Sequence, residues 1–227
     1  MKLSEALNSV HLSLKRRLSI ISKLGYLLPF SPFRGIVYLM PDKRSSNILD
    51  VGCGTGAFPS MLKLRGTEIP FAVGVDLYLP YLRQCKDKGL YDDVVLCDAR
   101  CIPFREGSFD VLLAIDVIEH LPKEDGLNFL RQLEKLAVRQ VILTTPVGFV
   151  EVRVPSCVHL KPLEDKLLKH RSGWLPHEFR IRGYKVRGMI GPSFIPKDIA
   201  YWLSFILPLT YFAPAASYSM ICTRRNR

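Results

Sequence analysis

Three glycines at alternate positions, Gly52, Gly54 and Gly56, follow the short apolar run Ile48 to Val51, in which Asp50 is the one charged residue. Further acids stand at or just past the ends of later apolar runs: Asp76, Asp98 and Asp116. A glycine turn lets backbone approach a ligand where any side chain would block it. Such a loop after a buried strand suits a nucleotide-like ligand. Gly52-x-Gly54-x-x-Ala57 also satisfies the dinucleotide pattern, which alone is weak. A pyrophosphate would lie on the amides opening the next helix, where Asp50 just ahead of the glycines repels it. A ligand carrying ammonium and sulfonium charges is attracted instead.

Asp76 ends the apolar run Phe71 to Val75, about where a doubly wound fold sets a carboxylate against ribose hydroxyls. With Asp50-x-Gly52-x-Gly54-x-Gly56 in place, the segment resembles motif I of the class I S-adenosylmethionine-dependent methyltransferases. Asp98-Ala99-Arg100-Cys101-Ile102-Pro103-Phe104 leading into Ser108-Phe109-Asp110 is similar to a pattern of their methyltransferase-11 group. The resemblance implies that Asp50, Gly52, Cys53, Gly54 and Gly56 surround the methionine end of S-adenosylmethionine. It likewise implies Asp76 and Leu77 at the ribose, Asp98 and Ala99 at the adenine, and Asp116 near the amino group or the transferring methyl.

Asp116, Glu119 and His120 stand at i, i+3 and i+4 after the fourth strand, so one helical turn would put all three on one face. Two uses compete. The set could hold a divalent metal, with His159, His170 or His177 completing it. It could equally act without metal, as Glu-His does at this place in many members of the family, and no metal is assigned. Glu119, His120 and His170 are then the candidates for removing a proton from the acceptor.

These residues need a sheet to position them. Ile48–Val51, Phe71–Asp76, Asp93–Leu96, Phe109–Ile115 and Gln140–Thr145 read as buried strands, with helices over 57–64, 79–88 and 125–136. A sixth strand is expected over 184–190. The stretch 199–223 has no charge, but Pro208 and Pro214 divide it into a helix up to about Leu207 and a final strand over 216–222 rather than a membrane span. The expected fold is α/β: a Rossmann-like, seven-strand, mostly parallel sheet with helices on both faces and its last strand antiparallel. Ser172 is expected to cap a helix over 174–181, with Trp174 in the core.

The 227 residues suit one substantial domain over 47–227, preceded by a basic amphipathic helix and linker over 1–46 and carrying an insert at about 149–173. The net charge of +11 divides into +6 for 1–46, −3 for 47–148 and +8 for 149–227. Basic flanks around an acidic centre suit an anionic substrate, a nucleic acid or an anionic membrane surface. Six cysteines without a CxxC pair read as reduced thiols of a cytoplasmic protein. Nothing reads as a secretory signal or an RNA-binding module.

The sequence therefore leads to an enzyme that passes methyl from S-adenosylmethionine to a small-molecule or lipid-like acceptor, with peripheral membrane contact open. RNA methylation, metal-assisted or not, is the alternative, and a non-catalytic binding protein on the same fold is the third reading.

Overall fold

In a computed structural model of the chain, residues 47–64, 71–152, 162–194, 199 and 212–226 are described. The expected N-terminal helix and linker, His159 and the expected helix up to Leu207 lie outside them. Seven strands form one sheet in the order β3-β2-β1-β4-β5-β7-β6. They are β1 (Asn47–Val51), β2 (Phe71–Asp76), β3 (Asp93–Leu96), β4 (Phe109–Ile115), β5 (Ala137–Pro146), β6 (Lys185–Pro192) and β7 (Ser217–Arg225). The first five pair in parallel, and β7 runs against both β5 and β6. Six strands thus share one direction and the last is reversed.

Alternation along the strands decides which side each residue covers. Leu49 and Val51 of β1 join the larger core, where Phe129, Leu130 and Leu133 of α3 (Lys123–Leu136) pack with Trp174. Ile48 enters the opposite layer with Val111, Leu113 and Phe58 of α1 (Ala57–Leu64). α2 (Leu79–Asp87) buries Leu82 and Cys85 against Cys53 in a third cluster. Helices therefore cover both faces, as the near-continuous apolar strands require.

Several boundaries differ from expectation. α3 begins at Lys123, with Pro122 ahead of it and Glu124 and Asp125 in its first turn, where acids suit the helix N-terminus. β5 starts at Ala137 directly from α3. β7 continues through Arg225, because Arg224 pairs with Glu134 of α3 and the Asn226 amide donates to Glu134 O. The insert holds a short helix, α4 (Pro162–Leu168), that sequence reading does not foresee.

Ser172 is not a helix cap. α5 (Pro176–Arg180) starts later, with proline in its first turn and Glu178 reaching back 2.8 Å to accept from Leu175 N–H. The Ser172 hydroxyl instead donates to Ile118 O and accepts from Trp174 Nε1 at 2.9 Å. Trp174 is fully buried, as expected.

The indole lies against Gly126 of α3, where an added Cβ would sit 2.5 Å from Trp174 Cζ2. Lys123 Nζ caps the ring 3.6 Å from its centroid. Alanine at 126 would gain roughly 1 kcal/mol of helix propensity. The pinned ring cannot yield cheaply, so overpacking outweighs that gain. Gly126→Ala should lower unfolding free energy by about 1–3 kcal/mol in urea titrations; an unchanged midpoint would show that Trp174 can move.

Candidate functional site

The turn after β1 is held by two bonds to one carbonyl: Gly52 and Cys53 both donate to Val75 O, at 2.8 and 3.0 Å. Gly52 has φ +70°, and a Cβ there would meet Val117 Cγ2 at 2.4 Å. Both the conformation and the contact demand glycine. Asp76 at the end of β2 then accepts from Gly54 N–H at 2.9 Å with one oxygen and from Tyr78 N–H at 2.8 Å with the other. The carboxylate expected at the ribose thus clamps the loop that it faces. Burial raises its pKa, while the Tyr78 and Gly54 amides oppose that rise.

Beside this turn opens a cavity of about 580 Å³. Gly52, Gly54, Asp76, Leu77, Asp98, Ala99, Asp116 and His120 all form its wall. Asp50, Cys53, Gly56, Glu119 and His170 do not. Asp50 points to the other side of the loop, where Tyr91 Oη donates to it at 2.6 Å. Cys53 and Asp50 are buried, and a Cβ at Gly56 would strike Leu90. These three shape the loop from behind rather than lining the cavity.

The adenine candidate is partly engaged. Asp98 takes the Arg100 guanidinium, with Nη2 to Oδ2 at 2.7 Å, and this bond holds its pKa below the usual carboxylate range. Asp116 has φ +53°, unique among described non-glycine residues, a conformation that aspartate tolerates better than most. Thr144 secures it, donating from Oγ1 to Asp116 Oδ1 at 2.7 Å and accepting Asp116 N–H through the same oxygen.

Ile118–His120 form a single 3-10 turn. It buries Glu119, whose carboxylate oxygens have no hydrogen-bond partner among the described residues. Burial, reinforced by the charge of Asp116, pushes the Glu119 pKa up to about 8. The Glu119 carbonyl accepts from Arg171 N–H at 2.7 Å and Ser172 N–H at 3.1 Å. That tether brings His170 edge-to-face onto His120, with ring centroids 4.9 Å apart. Burial, with His170 alongside, lowers the His120 pKa. Of the two described histidines considered as partners of this turn, His170 is brought there and His177 lies on α5; His159 lies outside the described residues.

Sequence reading missed the insert's share of the wall. Glu164 of α4 accepts from Tyr81 Oη at 2.5 Å and from Tyr78 Oη at 3.4 Å, joining α4 to the start of α2. Lys166 and Arg171 also line the cavity. Their signal, an acid and basic residues on a short amphipathic stretch after the fifth strand, becomes readable only once the chain is folded back.

The sheet order and the cavity beyond its strand ends define the class: a Rossmann-like methyltransferase fold. A S-adenosylmethionine-dependent methyltransferase from Archaeoglobus fulgidus has the same fold, with TM-score 0.56 at 15% identity over 86% of this chain and 92% of that one. The model of the Methyltransf_11 methyltransferase domain matches residues 49–143. Norajmaline N-methyltransferase of Rauvolfia serpentina is 30% identical over 146 residues, 59% of this chain and 46% of that protein. The tRNA (carboxymethyluridine(34)-5-O)-methyltransferase of Arabidopsis thaliana is 32% identical over 110 residues, 48% and 24% of the two chains. The chain spans less than half the length of these curated relatives.

Behind the loop, burial raises the Asp50 pKa from 3.8 to about 7, with Tyr91 opposing and Asp76 adding to the rise. Between these values the folded protein holds a proton that the unfolded chain has released, so stability falls as pH climbs. The full displacement corresponds to roughly 4 kcal/mol. Asp50→Asn keeps an acceptor for Tyr91 without the charge. Its melting temperature should gain on that of the wild type as pH rises from about 4 to about 7; parallel Tm curves would mean that Asp50 is not buried as described.

Proposed function

We propose that the chain transfers methyl from S-adenosylmethionine to a small acceptor bearing an anionic group. The observation that carries this reading is the convergence of Gly52, Gly54, Asp76, Asp98 and Asp116 on one cavity whose further wall holds His120, Lys166 and Arg171. Three carboxylates face a ligand that is cationic at sulfur and nitrogen. The basic side chains then suit the acceptor rather than the cofactor.

Gly52 and Gly54 would receive the methionine end, Asp76 and Leu77 the ribose, and Asp98 with Ala99 the adenine. Transfer is an in-line displacement: the acceptor's electron pair takes the methyl carbon and the carbon–sulfur pair returns to sulfur. Alignment in a shared cavity supplies much of such a rate. Removal of the acceptor's proton is assigned to the Glu119, His120 and His170 cluster, of which His120 forms the wall.

A specific observation favours keeping RNA as a second reading: the net charge of +8 over 149–227 includes the basic residues at the cavity, and one relative is named as a tRNA methyltransferase. Among described residues no helix is long and apolar enough to cross a membrane.

Calorimetry should detect S-adenosylmethionine binding by the wild type, weakened more than about tenfold by Asp76→Ala, which removes charge-assisted bonds to two amides as well as the ribose ligand. Failure of the wild type to bind the cofactor overturns the reading. Acceptor class is decided by salt: RNA affinity should fall steeply and linearly in log–log form with salt, whereas a small anion meeting two cations loses little.

A further inference from the structure

The unpartnered Glu119 carboxylate is the least explained group in the molecule. It is 2% exposed; its own amide and the Thr145 hydroxyl stand near it and oppose the rise of its pKa, but neither completes a hydrogen bond to its oxygens. Burying such a group without a partner is costly, and a cation is the usual remedy. No lysine or arginine is paired with it. What stands beside it is two imidazoles. One ligand atom from each of Glu119, His120 and His170 lies within 4.8 Å of the other two.

Both rings are already oriented from behind. His170 Nδ1 lies 2.6 Å from Val150 O, and His120 Nδ1 lies 3.3 Å from Lys169 O. A carbonyl oxygen only accepts, so a ring that binds a metal while held this way carries its hydrogen on Nδ1 and offers the Nε2 lone pair. Backbone carbonyls fixing the far nitrogen are the usual outer support of metal-binding histidines. The tether from Arg171 and Ser172 amides to Glu119 O keeps His170 at its station.

We propose that Glu119, His120 and His170 bind one divalent transition-metal ion of the zinc type. Two imidazoles and one carboxylate match the donor preference of such ions, and three protein ligands leave a position for an exchangeable one. Magnesium or calcium would favour oxygen donors throughout. His120 also forms the cavity wall, so the ion borders the acceptor space. In that respect alone the site rests on the function proposed above.

The test uses the full chain, purified without a histidine tag, stripped with chelator and titrated with Zn2+ by calorimetry and with Co2+ by visible absorption. The wild type should take up one ion saturably and develop Co2+ d–d bands. Glu119→Gln and His170→Ala should each weaken uptake more than about tenfold, while His177→Ala, outside the cluster, leaves it unchanged. Cofactor binding measured on the same preparations verifies that each variant is folded and separates this proposal from the methyltransferase reading. A wild type that binds S-adenosylmethionine yet takes up no metal overturns the site, as does uptake that survives both substitutions.

Discussion

The carboxylate of Asp76 accepts Gly54 N–H with one oxygen and Tyr78 N–H with the other, and so joins the glycine turn after β1 to the start of α2. Without that junction the Gly54 and Tyr78 amides would have to find water instead. The cavity depends on this junction because its near wall is made of the turn, Asp76 and the first residues beyond it. A carboxylate at the cavity wall is thereby also one that shapes the wall. The arrangement concentrates Asp76, Asp98 and Asp116 at one sheet edge, so acids gather around the cavity although the whole chain is strongly basic. A cationic cofactor relieves that concentration, which is why the electrostatics and the glycine geometry favour the same ligand.

A second junction closes the opposite wall. The Glu119 carbonyl accepts two amides from the insert, Ser172 Oγ donates to Ile118 O, and Lys123 Nζ reaches both Gly173 O at 2.6 Å and Glu178 at 2.7 Å. Trp174 packs beneath these bonds against Gly126 and Ile118. Further back in the insert, Glu164 is bonded to Tyr78 and Tyr81. The insert is thus joined to the ends of β4 and of β2 at once, across the space between them. Lys166 and Arg171 are carried to the cavity by these attachments rather than by the parallel sheet itself.

The sheet was legible because its strands are apolar runs ended by glycine, proline or acid, and their period separates two core layers as seen at Ile48 and Leu49. Gly52, Asp76, Asp98 and Asp116 could be placed at one edge for the same reason: each follows a strand in the common direction. Side-chain partners were less legible. Asp50 had been assigned to the ligand from its place ahead of the glycines, yet alternation turns it toward Tyr91, 41 residues away. Ser172 looked like a helix cap because serine precedes an amphipathic run, but a buried indole nitrogen claimed its oxygen. His170 could be named as a candidate, but only the amide tether to Glu119 distinguishes it from His177. Long-range bonds of this sort leave no period in the chain.

Departures from local rules gather at one edge of the sheet. Gly52 admits Val117 closer than any side chain would allow, Asp116 adopts a left-handed backbone conformation that typically costs about 1 kcal/mol or more in a residue with a Cβ, Asp50 is buried as an acid, and Glu119 is buried without a partner. All four lie at or just beyond the ends of β1 and β4. The interior of those strands follows the simplest rules, with Leu49, Val111, Leu112 and Leu113 fully enclosed. Strain confined to one place needs surroundings rigid enough to hold it, and the apolar centre of the sheet supplies that rigidity. It also needs something that would be lost if the strain relaxed. A left-handed Asp116 keeps its carboxylate on Thr144 at the cavity wall, and Glu119 keeps its oxygens without a hydrogen-bond partner beside His120 and His170. Relaxing either one would improve stability and displace a carboxylate from this edge, so the pattern of strain marks the same edge that the glycine loop does, by an independent physical route.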